Sequence, residues 1–195
     1  MRQDLEPPAV PTHPAAAMSE RPSHQRAARG ITLIELMVAI AVLAVLLAVG
    51  MPSFAALVRQ WRQDSAVDAF VGDLRLARST ATRTSRPVVV CAIGSAGRCS
   101  TGADWASGWL VFSDLNGDGE RDAGEPVIAQ RGAQTGIAAM RDKASPAKLS
   151  FRSNGTLSGT TDTVSVQPQG ADGPTQAITI NLLGRARVGQ PEAKP

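Results

Sequence analysis

The apolar positions of the chain change their period twice. From Ile31 to Met51 nearly every residue is apolar, and at about 1.5 Å of rise per helical residue such a run crosses the roughly 30 Å hydrocarbon core of a bilayer. It predicts a membrane-spanning helix over about 31–51. From Phe54 the apolar residues recur instead at spacings of three and four: Phe54, Leu57, Val58 and Trp61, then Val67, Phe70, Val71, Leu74, Ala77 and Ala81. Arg59, Arg62, Asp64, Asp68, Asp73, Arg75 and Arg78 fall on the opposite face. This is the period of an amphipathic helix, so the helix is expected to leave the membrane and run on to about Arg83 as the spine of a soluble domain. Pro52, between the two stretches, removes one hydrogen bond and bends the axis without ending the helix, and Gly72 is a weak point.

After Pro87 the pattern becomes short β-rich runs divided by turn residues. Positions 87–93, 107–114, 126–131, 148–153, 162–168 and 176–183 read as strands, with Asn154-Gly155 as a hairpin turn and Gly170 to Pro174 as a loop. After subtraction of the membrane helix, the length allows one compact domain.

Composition changes this picture in one respect. Both histidines, His13 and His24, precede Gly30, in a basic stretch that also holds Pro7, Pro8, Pro11, Pro14 and Pro22 and has almost no periodicity. That stretch reads as a leader. Without histidine after Gly30 there is no Ser-His-Asp or Cys-His arrangement and no His-ligated zinc site. No paired-carboxylate motif appears either, so an enzyme is not expected.

Glu35 is the departure within the apolar run, because an unpaired charge there costs roughly 2.5–3.5 kcal/mol even on the lenient insertion scale. Just ahead of the run stands Arg29-Gly30, followed by Ile31-Thr32-Leu33-Ile34-Glu35-Leu36. This segment resembles the class III signal sequence of type IV pilins and type II secretion pseudopilins, which prepilin peptidase cuts after the glycine and which is N-methylated on the new first residue. The family's usual first residue is Phe, and here it is Ile31. Glu35 becomes the fifth residue of the mature chain, where the family places its glutamate. The resemblance implies that Glu35 meets the terminal amine of a neighbouring subunit in a filament, so that two charges in apolar surroundings neutralise each other. The other reading is an ordinary signal anchor with a stray acid. Pilin leaders are usually short, which makes Met18 an alternative start to Met1.

The resemblance implies an α+β, type IV pilin-like fold, with a long N-terminal helix whose first half spans the membrane and a small antiparallel β domain packed on its second half. Its parts are a leader over 1–30, the helix over 31–83, a periplasmic β domain over 84–188 and a flexible tail over 189–195. The protein is then a single-pass inner-membrane precursor with a periplasmic C-terminal domain, which joins other pilins or pseudopilins in a filament. Export to an oxidising periplasm favours a hairpin-closing disulfide between Cys91 and Cys99 over free thiols.

Two motifs bear on ligands. Asp114 to Glu125 fits the calcium-loop pattern, with Asp114, Asn116 and Asp118 alternating, Gly119 at the turn and Glu125 in twelfth place. Its flanks read as strands, where a true EF-hand has helices. Gly108-Trp109, Val111-Phe112 and Asp114, followed by an Asn/Gly/Asp-rich turn, also resemble a recurring feature of the GspH/FimT branch of minor pilins. Calcium is thus a possible ligand but not a required one, and a solvated acidic hairpin is the competing reading. Near the end stands Gly184-Arg185-Ala186-Arg187, where strand alternation sends Arg185 and Arg187 to one face. Two planar cations so placed suit successive phosphates.

Gly-Arg-x-Arg in this position resembles the C-terminal motif of FimT-like minor pilins, which is implicated in binding double-stranded DNA during natural transformation. From Arg131 onward eight Lys/Arg stand against four Asp/Glu, a local basic excess of the sign that DNA requires. A strand end kept soluble by its arginines is the plainer reading. Two functions follow: a FimT-like minor pilin that binds DNA for uptake, or a GspH-like structural tip pseudopilin that does not.

Mass spectrometry of the mature protein should find a methylated Ile31 at its N-terminus, and Gly30→Val should leave uncut precursor in the membrane. Any other N-terminus would remove the basis for the signal-sequence reading.

Overall fold

The computed structural model describes residues 30–94, 98–100, 102, 104–143, 147–172 and 176–190. The leader up to position 29, the last two residues of the Gly170–Pro174 loop and the tail from 191 to 195 lie outside the described residues. A single α-helix, α1, spans Leu33–Thr84, 52 residues, and runs on through positions 52 and 72. Thr32 caps it: its hydroxyl accepts the Glu35 N–H at 3.2 Å and its carbonyl accepts the Leu36 N–H at 3.1 Å, which satisfies donors that a helix start leaves open. The helix stops where Ser85 turns to φ 54 and Pro87 follows two residues later.

By internal contacts the chain forms two units, divided after Ala44. In the first, every side chain from Ile31 to Ala44 is exposed. An apolar surface on all sides suits a lipid environment rather than a protein core, and α1 is long and apolar enough to cross a membrane.

In the second unit α1 is followed, among the described residues, by nine strands: β1 Val88–Ala92, β2 Trp109–Ser113, β3 Val127–Arg131, β4 Ile137–Asp142, β5 Lys148–Phe151, β6 Leu157–Ser158, β7 Asp162–Pro168, β8 Gln176–Ile180 and β9 Ala186–Gly189. They form two antiparallel sheets, ordered β3-β2-β1-β5-β6 and β4-β7-β8-β9. The α+β pilin-like architecture is therefore present. All six strands read from the sequence occur, and the Asn154-Gly155 turn joins β5 to β6. The β4 strand was not legible because Ile-Ala-Ala-Met carries little β-branching and its register shifts between Ile137 and Ala139, which breaks the two-residue alternation.

Burial follows the periods. In β7 every second residue is buried, as a half-buried strand requires. β1 and β2 are buried throughout because both faces are covered. One face joins the main core with α1, and the other packs Val89, Leu110 and Phe112 against the Cys91–Cys99 region. That disulfide, with Cα atoms 5.4 Å apart, closes the segment beyond β1, where Ile93 bridges to Cys99.

On α1, Val67, Phe70, Val71, Leu74, Ala77 and Ala81 are buried. Phe70 lies edge-on between Trp105 at 5.0 Å and Trp109 at 5.1 Å, an arrangement worth about 0.5–1.5 kcal/mol per pair beyond area burial.

Two expectations for this helix need correction. Phe54, Leu57 and Trp61 share the stripe's spacing but are 67%, 62% and 71% exposed, and the buried residues begin only at Gln63. Spacing tells which residues share a face, not how far a covering layer extends. Asp73, assigned to the solvated face, is 3% exposed. Its Oδ2 accepts the Trp109 indole N–H at 2.8 Å and Arg131 Nε at 2.8 Å, and its Oδ1 accepts Arg131 Nη2 at 3.2 Å. By its hydrogen bonds and its charge the carboxylate in turn raises the Arg131 pKa above its usual value.

Since every buried residue among those described lies at or beyond Gln63, the chain from Arg59 retains the described core. In chemical denaturation of that fragment, Asp73→Ala should cost about 2–4 kcal/mol, because it strands a buried indole N–H and removes a charge-assisted pair. Arg131→Gln should cost less, about 1 kcal/mol, since Arg131 is half-exposed. A loss below about 0.5 kcal/mol for Asp73→Ala would be ordinary surface behaviour and would show that the network is not needed.

Candidate functional site

The Gly-Arg-x-Arg segment lies where β8 turns into β9. Asn181 organises the turn: its Oδ1 accepts the Arg185 N–H at 3.0 Å, its own N–H donates to the Arg185 carbonyl at 3.0 Å, and its carbonyl accepts the Gly184 N–H at 2.8 Å. Gly184 takes φ 71, a left-handed value that suits glycine. Arg185 belongs to this turn, since β9 begins at Ala186. Even so, Ala186 packs against the core, and Arg185 and Arg187 on either side of it are exposed. The structure therefore brings these two together as strand alternation implied.

It also adds residues that sequence reasoning missed. Arg75 and Arg78 of α1 line the same groove as Arg185 and Arg187, a space of about 470 Å³. Ser79 and Thr82 line it as well, and among the described residues neither an acidic nor an aromatic side chain does. None of the four arginines forms an ion pair among the described residues. The available signal was the three-residue spacing of Arg75 and Arg78, which puts them side by side on a helix. What it could not show was the hairpin that meets them. Four guanidinium groups around one open groove make a site for an anion with several charged oxygens.

The acidic loop is organised from within. Asp114 is 2% exposed, and its two oxygens accept the N–H groups of Gly117 at 2.7 Å and Gly119 at 3.0 Å. Glu125 is similarly buried and accepts the N–H groups of Leu115 at 2.6 Å and Asp122 at 3.0 Å. Asn116 turns its amide nitrogen to Asp118 at 2.8 Å, while the other Asp118 oxygen accepts the Glu120 N–H at 2.7 Å. Among the described residues no group of three or more His, Cys, Asp or Glu is arranged to hold a metal. These contacts give the loop a hydrogen-bonded shape of its own between β2 and β3.

At the other end of the chain, Gly30 and Ile31 are exposed ahead of the helix. Glu35 stands in the first turn of α1, also exposed.

An apolar N-terminal helix that continues into an amphipathic half with antiparallel sheets packed on it defines a type IV pilin-like protein. Residues 25–51 match the model of the prokaryotic N-terminal methylation motif. Residues 66–184, more than half of the chain, match the family model described as Type II transport protein GspH, and the chain belongs to that family. Two crystal structures of the type IV minor pilin FimU of Pseudomonas aeruginosa share its fold. One is 20% identical with a TM-score of 0.55, covering 69% of this chain and 96% of that one. The other is 22% identical with a TM-score of 0.52, covering 67% and 98%. The minor pseudopilin EPSH of the Vibrio cholerae type II secretion system is 16% identical over 71% of this chain and 99% of its own, at a TM-score of 0.49, too slight a likeness to weigh. No curated protein matches the chain. The protein is thus a type IV pilin-like member of the GspH family that carries the N-terminal methylation motif.

Calorimetry of the fragment from Arg59 should show an unchanged melting temperature in millimolar calcium. Asp114→Ala should lower stability by about 1.5–3 kcal/mol, because two buried amides lose a charged acceptor. A melt that rises with calcium concentration as RT ln(1 + [L]/Kd) would instead establish a cation site in the loop.

Proposed function

We propose that this protein is a minor pilin that binds double-stranded DNA for uptake through Arg185 and Arg187. In this reading the precursor is anchored in the inner membrane, cut after Gly30 by prepilin peptidase and methylated on Ile31. It then joins other pilins through α1, with Glu35 facing a neighbour's terminal amine. No cofactor is required. The observation that carries the DNA reading is the outward display of Arg185 and Arg187 on a groove that no acidic side chain lines among the described residues. Phosphate contacts dominate sequence-independent affinity, and uptake of environmental DNA calls for that independence.

A second reading is a structural tip pseudopilin of a type II secretion system without DNA binding, favoured by the match of residues 66–184 to the GspH model. The two part at one measurement. In the first reading, gel shifts show duplexes of unrelated sequence bound with similar affinity, and log K falls with log[salt] by about 0.9 per phosphate neutralised. Arg185→Gln with Arg187→Gln should reduce that slope by about 1 per arginine and remove most binding, with circular dichroism unchanged. Equal binding by the double variant, or none by either protein, would favour the secretion reading.

A further inference from the structure

Two glycines hold Arg78 in its place. Arg78 Nε donates to the Gly155 carbonyl at 3.1 Å, so one edge of the guanidinium is fixed to the β5–β6 turn. A Cβ on Gly184 would fall 2.6 Å from that same carbonyl oxygen and 3.1 Å from Arg78 Cδ. A Cβ on Gly155 would fall 2.7 Å from Thr82 Cγ2 and 3.4 Å from Arg78 Cγ. Both glycines take left-handed φ values, 77 and 71, so any other residue there is strained as well as crowded. The glycine of Gly-Arg-x-Arg thus lets the hairpin lie directly against the stem of a helix arginine.

An arginine held in this way loses little rotamer freedom on meeting an anion, and its two terminal nitrogens remain free to donate. Arg75, one turn earlier on the same face and exposed, lines the groove beside it. We infer that the phosphate site is bipartite: Arg75 and Arg78 of α1 contact the nucleic-acid backbone together with Arg185 and Arg187 of the β8–β9 hairpin, and Gly184 and Gly155 position Arg78 for it. This rests on the DNA reading above. Because no aromatic side chain among the described residues lines the groove, the groove offers no platform from them on which unpaired bases stack. The ligand is therefore the phosphate backbone of a duplex, held without regard to sequence.

The test uses the full mature chain in detergent, with duplexes of unrelated sequence and a single strand of equal length, in gel shifts from low to moderate salt. Arg75→Gln with Arg78→Gln should weaken duplex binding at least tenfold and lower the slope of log K against log[salt] by about two. Arg75→Gln alone removes no hydrogen bond among the described residues, and it should lower the slope by about one with an unchanged melting temperature. Gly184→Ala should weaken binding without changing the charge of the chain. If both helix variants bind as the wild type does while Arg185→Gln with Arg187→Gln does not bind, the bipartite site is wrong and the DNA reading stands. If the wild type binds no duplex, both fail. A single strand bound more tightly than the duplex would overturn the choice of ligand.

Discussion

Asp73 brings a charge into the largely apolar buried face of α1, and the second unit can bury it only by bringing two donors to it at once. Trp109 comes from β2 and Arg131 from the neighbouring strand β3. The indole also packs on Phe70, one turn from Asp73 along the helix, so apolar contact and polar satisfaction are met by one side chain. Trp109 cannot shift along α1 without losing both. A buried carboxylate of this kind adds little net stability over an apolar residue, but breaking it is expensive. That asymmetry specifies one placement of the five-stranded sheet on the helix rather than several of similar energy.

The other sheet meets the helix through a weaker polar contact. Gln176 at the start of β8 donates to Asp64 at 2.8 Å, while Arg78 is fastened to the β5–β6 turn of the five-stranded sheet at Gly155. Between these points Val164, Val166, Ile178 and Ile180 supply the apolar layer. The β8–β9 hairpin is thereby brought beside the last turns of α1, and the arginine groove is a consequence of how this sheet docks. Concentrating like charge in that way is unfavourable in the free protein, more so at low ionic strength. An anion in the groove relieves it.

The acidic loop shows a different use of charge. Two buried carboxylates each accept a pair of backbone N–H groups, so that a connection between β2 and β3 with three glycines keeps a single shape. Glycine positions at φ 80 and 77 turn the amides inward toward Asp114. Residues chosen for this task are the same types, at much the same spacing, as those that would coordinate calcium. That is why the pattern carries a false-positive risk in sequence.

Much of the architecture was legible without coordinates because it is local. A continuous apolar run, a helical period from Phe54, alternating β runs and an Asn-Gly turn each depend on residues close in the chain, and α1 and six strands followed from them. The N-terminal methylation motif over residues 25–51 was likewise readable, because it is a contiguous string. The roles of Asp73, Arg75 and Arg78 were not. All three sit at helix positions that look solvated by period alone, and what decides their environment is a strand or hairpin distant in sequence: β3 is 58 residues from Asp73, and Gly155 is 77 residues from Arg78. Gly-Arg-x-Arg could be recognised as a motif, but the need for its glycine arises only where Gly184 meets Gly155 and Arg78. The sequence by itself determined the elements and the end of the chain that carries excess positive charge. The tertiary structure decided which polar residues are buried together and which arginines share a groove, because those are properties of docked surfaces and not of neighbouring residues.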